Sequence, residues 1–219
     1  MARFPRIRRL RDVITGEVYY EDLKMGKIQY RRLVGGLAWP YGVEKPGCVV
    51  LLAEGRVFKE ETQNHWIWLV GEYVNHSSQE LLRVLGQMDE SVYGVEWVTD
   101  LKNPHYLLVE QWNDERADYR QKTIVFYNPP EIHKPSRQLF RFYDQLVDKR
   151  TRTQKSLFFG KDSEVARQYA ILTPDDFRKS MEEFPCVCAF LYTLATLEFS
   201  SKQQEFNSYY QVPDEIGGY

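Results

Sequence analysis

The chain has 219 residues, 43% of them hydrophobic and 15% aromatic, which suits one large domain with a real core and excludes wholesale disorder. Its formal net charge of −2 excludes a polycation, so any nucleic-acid surface must come from locally clustered Arg and Lys. Three cysteines, Cys48, Cys186 and Cys188, form no C-x-x-C pair, which speaks against a disulfide framework or zinc knuckle and for a reducing, cytoplasmic setting. The longest charge-free apolar run, Phe184 to Leu197, falls short of the roughly 20 residues that span a bilayer, so no membrane partner is expected. The start of the chain has no signal-peptide core.

In chain order, residues 1–30 read as a basic N-terminal arm. Arg3, Arg6, Arg8, Arg9 and Arg11 crowd it, and Val13 to Tyr20 suggests a small hairpin turning near Gly16. Such a cluster can hold phosphates by charge or can simply be solvated. The main domain then covers residues 31–200. Leu33 to Trp39 reads as a buried strand ended by Pro40 and Gly42. Gly47 to Ala53 is a second strand and His65 to Val74 a third, with a polar hairpin loop from Glu54 to Asn64. Ser77 and Glu80 make a capping box for a helix whose Leu81, Val84, Leu85 and Met88 share one face. A fourth strand, Tyr93 to Thr99, delivers Asp100 to its C-terminal end.

Asn103 as N-cap and Pro104 at the first helical position open a helix running to about Asp118. Thr123 to Tyr127 is a fifth strand, apolar throughout as if covered on both faces. A further helix runs from Ser136 to Lys149, followed by the densest basic run of the domain, Lys149 to Lys155, and by a short edge strand at Ser156 to Phe159. Asp162 or Ser163 caps a helix carrying Val165 and Tyr169. Thr173, Pro174, Asp175 and Asp176 start another, and Pro185 opens a last helix that is apolar nearly all round from Cys186 to Phe199. Residues 201–219 read as a loose tail. Trp39, Trp66, Trp68 and Trp97 sit in apolar strands and read as core.

Several chemistries have no signature here. Phosphate-loop, dinucleotide-binding, nucleophile-elbow and zinc-protease motifs are absent, and the four histidines are dispersed. What remains is a carboxylate reading.

Three meandering strands followed by alternating helix and strand is the order of a ribonuclease H-like fold: α/β, a mixed five-stranded sheet flanked by helices. The stretch Val34 to Trp39, the strand ending Val98, Thr99, Asp100, and the segment from Glu182 through Pro185 into the helix Cys186 to Leu194 resemble the nuclease domain of phage large terminases. The resemblance implies carboxylates that hold Mg²⁺ or Mn²⁺ for phosphodiester cleavage, since hard ions take oxygen ligands. It assigns Asp100 as the second acid, Glu182 or Glu183 as the last, and Glu72 as a strand-borne acid reaching the same pocket. Asp100, Glu72 and Glu183 are thus the candidate catalytic residues, and with Glu182 the candidate metal ligands. Ala38 stands where the family carries its first-strand Asp, so cleavage is expected to be weakened.

Lys149, Arg150, Arg152 and Lys155 are the candidate nucleic-acid contacts. Double-stranded DNA is the expected partner, with other phage packaging proteins beside it. The alternative is a non-catalytic phage or prophage assembly or adaptor protein that keeps the scaffold without the metal site. Each acid also has a plainer use: Asp100 in a turn, Glu72 on an exposed sheet face, Glu182 and Glu183 in solvent.

Overall fold

The computed structural model describes residues 7–23, 28–55, 66–92, 94–129, 156–158, 160, 162–172 and 183–208, with scattered positions between 138 and 149. The stretches expected as the loop after Gly55, the helix start at Thr173 and the tail beyond Ser208 lie outside the described residues.

The ten-residue strand β3 (Gln29–Ala38) is the axis of the sheet. On one side it pairs antiparallel with β4 (Gly47–Gly55), which pairs antiparallel with β5 (Ile67–Asn75). On the other side, β6 (Glu96–Thr99) runs parallel to its second half, and β7 (Phe126–Tyr127) parallel to β6. The order β5, β4, β3, β6, β7, antiparallel through the meander and parallel thereafter, is that of a ribonuclease H-like α/β sheet.

The sheet is wider than the five strands expected, with eight among the described residues. The segment read as a basic arm makes a hairpin, β1 (Ile7–Arg11) and β2 (Val18–Asp22), which pairs with the first half of β3. Its Ile7 and Tyr20 are buried, while Arg8 and Arg9 are exposed. On the far edge, β8 (Leu157–Phe158) adds to β5.

Helices cover both faces. Helix α1 (Ser78–Val92) lays Leu81, Leu85 and Met88 against Leu37, Val49 and Trp97. Its capping box is half realised. The Glu80 amide donates to Ser77 Oγ (3.3 Å), but the Glu80 carboxylate turns to Arg83 and Tyr73, and Asn75 takes the Ser77 amide instead. Helix α2 (His105–Asp118) begins one residue later than expected, without a side-chain cap. On the opposite face, the short α3 (Glu164–Tyr169) and the long α4 (Pro185–Ser208) pack on Val34, Val50 and Val98.

Two adjacent glycines let both layers close on β3. A Cβ on Gly35 would sit 2.1 Å from the Trp97 ring, and one on Gly36 would sit 2.3 Å from the Ala189 carbonyl and the Thr193 hydroxyl of α4. Close approach of helix backbone to strand backbone needs a residue without a side chain.

Two expectations are corrected. The fifth strand shrinks to Phe126–Tyr127, because the Ile124 amide and carbonyl are taken by the Asn113 side chain of α2 (2.8 and 2.9 Å). It also alternates, with Ile124 and Phe126 buried and Val125 and Tyr127 exposed, so only one face is covered. Trp39 and Trp97 are core as expected, but Trp66 is half exposed at the beginning of β5.

Candidate functional site

The parallel strands β3 and β6 finish together at one edge of the sheet, near which two of the candidate acids lie. Leu37 stands opposite Thr99, and the Thr99 hydroxyl donates to the Leu37 carbonyl (2.9 Å), so Ala38 and Asp100 are the next residues side by side. Below them α4 crosses: the buried Cys188 thiol is pushed up to about 12 by its burial, opposed by a hydrogen bond with Tyr192, and the Asp100 charge adds to the rise.

Asp100 is three-quarters buried. Its Oδ1 accepts the Lys102 amide (3.0 Å), an Asx turn, and its Oδ2 lies 3.8 Å from Lys102 Nζ. The Asp100 carbonyl accepts from Trp39 Nε1 (3.1 Å), and the Trp39 ring stacks on His105 with centroids 4.8 Å apart. Burial lowers the His105 pKa below the ordinary imidazole value, against the Asp100 charge and a hydrogen bond with the Asp100 backbone.

Glu183, just ahead of α4, is more than half exposed and lies 3.8 Å from Lys45 in the β3–β4 connection. That connection leaves β3 from its Ala38 end, so Asp100 and Glu183 flank the same edge. Each faces a lysine ammonium.

Glu72 does not join them. Glu72, Val50, Gly36 and Val98 form one row across β5, β4, β3 and β6. Three interstrand steps set Glu72 about 14 Å to the side of the β6 column that carries Asp100. Its carboxylate has other work: it accepts the amides of Glu164 (2.9 Å) and Val165 (3.3 Å) and the Ser163 hydroxyl (3.3 Å). Glu72 is therefore the anion at the N-terminus of α3, satisfying donors that the helix cannot satisfy itself.

Lys149 is also committed to structure. Its ammonium meets the buried Glu198 carboxylate of α4 at 2.8 Å. Arg150, Arg152, Lys155 and Glu182 lie outside the described residues.

No family model matches the sequence, and no curated protein matches it. Among solved structures the chain is similar to the yeast mitochondrial Holliday junction resolvase, at 8% identity and a TM-score of 0.35, over 78% of this chain and 85% of that one. So faint a likeness carries no argument. The fold assignment rests on strand order and direction within this chain.

The described donors do not fit a two-metal centre. Such centres hold ions about 4 Å apart between shared carboxylates. Here the neighbour of Asp100 on β3 is Ala38, Glu72 is spent on α3, and among the described residues no three His, Cys, Asp or Glu side chains gather as a ligand set. Lys45, Lys102 and His105, which also stand near this edge, escaped the sequence reading. The available signal was the pairing of Asp100 with Lys102 two residues on, which reads equally well as an ordinary turn.

Proposed function

We propose that the chain is a ribonuclease H-like domain, of the kind seen in terminase nucleases, that engages duplex nucleic acid at the shared end of β3 and β6 without cleaving it efficiently. The observation that carries this reading is Ala38 beside Asp100. The nuclease domains that the sequence resembles carry an Asp at this place on the first strand, and here the side chain is a methyl group. Lys102 and Lys45 face Asp100 and Glu183, and 57% and 38% of their side chains are in solvent, where phosphate oxygens can reach them. On this reading phage DNA and its packaging proteins are the partners, and the chain serves as a binding component of such an assembly.

Retention of a labelled DNA duplex across a salt series tests it. Each phosphate contact contributes about one unit to the slope of log affinity against log salt. The double variant Lys45→Ala, Lys102→Ala is expected to bind more weakly than wild type, with a slope smaller by about two. An unchanged slope, or retention indifferent to salt in wild type, would remove the reading.

A further inference from the structure

The two acids near the Ala38 edge and the two lysines facing them are held in unequal ways. Asp100 is fixed, because its Oδ1 accepts the Lys102 amide (3.0 Å) and most of the side chain is buried. Glu183 sits just ahead of α4, whose first turn is fastened from α3. There the Gln168 side-chain oxygen accepts the amides of Cys186 (2.9 Å) and Val187 (3.3 Å). The cations are the loose partners. Each ammonium lies 3.8 Å from its carboxylate, with more than a third of each lysine side chain in solvent. Lys149 shows the contrast, its ammonium only 2.8 Å from the buried Glu198 carboxylate.

A long, exposed ion pair contributes little to folding, because water screens it and a flexible stem must be ordered to make it. It also costs little to break. An arriving phosphate oxygen can take either ammonium while the carboxylate stays where the backbone holds it. Two acids against two lysines leave these four groups electrically neutral, so together they exert no net pull on a distant polyanion. The lysines meet phosphate only by leaving their acids.

We propose that Asp100 and Glu183 are internal counter-ions for Lys102 and Lys45, and that duplex binding at this edge exchanges each carboxylate for a phosphate. The inference rests on the reading that the chain engages duplex nucleic acid, and it adds how that engagement is restrained. It gives Asp100 the opposite sign from a metal ligand: removing its charge strengthens binding.

The test is fluorescence anisotropy of a labelled duplex with the full chain, without divalent ions, at about 50 mM and about 500 mM salt. Asp100→Asn keeps an oxygen for the Lys102 amide, and Glu183→Gln alters a side chain more than half exposed, so both should melt close to wild type. Each is expected to lower the duplex Kd about threefold at the lower salt, with the gain lost at the higher, where screening is strong. Adding Lys102→Ala should cancel the gain from Asp100→Asn, since the two residues act as a pair. A gain of equal size in that background shows that Asp100 repels phosphate directly, and the exchange falls. If Asp100→Asn does not fold, Glu183→Gln with and without Lys45→Ala decides in its place. Folded acid variants that bind like wild type, or more weakly, overturn this proposal alone where the lysine variants still lose the duplex. Wild type and acid variants that all ignore the duplex overturn the wider reading as well.

Discussion

His105 shows how one side chain reports on the edge it occupies. Its ring is wedged against Trp39 beside the Asp100 backbone, and burial disfavours its charged form. Unfolded histidine titrates near about 6.5. With the folded value lower, the unfolded chain takes the proton first as pH falls. The stability held by neutral His105 is therefore whole above about pH 6.5 and is lost as the pH drops through the folded value. Melting temperature should fall between pH 7.5 and 5.5 by more in wild type than in His105→Asn, whatever the absolute stabilities. Equal drops would show that His105 is not the titrating group. This histidine was invisible as a site residue in the sequence, because its partner Trp39 lies 66 positions away and only the pairing of β3 with β6 joins them. Asp100 was legible for the converse reason: it ends a short apolar strand, and strand ends can be read locally. Glu72 was legible as a strand residue, but its place three strand steps from the Asp100 column was not. Period-two alternation gives the face of a side chain and says nothing about how many strands separate it from another.

At the scale of elements, β3 decides how tightly the layers meet. Its Gly35 and Gly36 are the only side-chain-free positions along the stretch that β6 pairs, and α4 rests its Ala189 carbonyl directly over Gly36. Gly36→Ala should destabilise the protein by about 1–3 kcal/mol, the usual cost of overfilling a packed core. Urea unfolding with an unchanged slope and a lower midpoint would register it. A midpoint equal to wild type would mean that α4 does not sit so close. The elements themselves were largely legible. The meander, α1 and α4 follow from apolar runs and 3.6-residue periodicity, and the short strand at Leu157 was expected where it lies. The fifth strand was overestimated because a side chain, Asn113, captures backbone groups that a sheet would otherwise use. No propensity scale reveals that competition. Nor did the first 30 residues announce that their hairpin would pair with β3, since partner choice between strands is a tertiary matter.

Across the whole molecule the two ends of the sheet differ in chemistry. One end carries the pairs Asp100–Lys102 and Glu183–Lys45, with Ala38 beside Asp100; the other presents half-exposed aromatic rings. No helix among the described residues is long and apolar enough to cross a membrane. The proposed reading rests on the first end, where Ala38 lies beside Asp100 and where Asp100 and Glu183 each face a lysine ammonium. The direct measurement is nicking of supercoiled plasmid in millimolar Mn²⁺, followed together with the melting temperature of the protein. Wild type should leave the plasmid intact beyond background and gain no thermal stability from Mn²⁺, because an ion that finds no site cannot shift the folding equilibrium. Mn²⁺-dependent nicking and stabilisation that both disappear in Asp100→Asn would contradict the account.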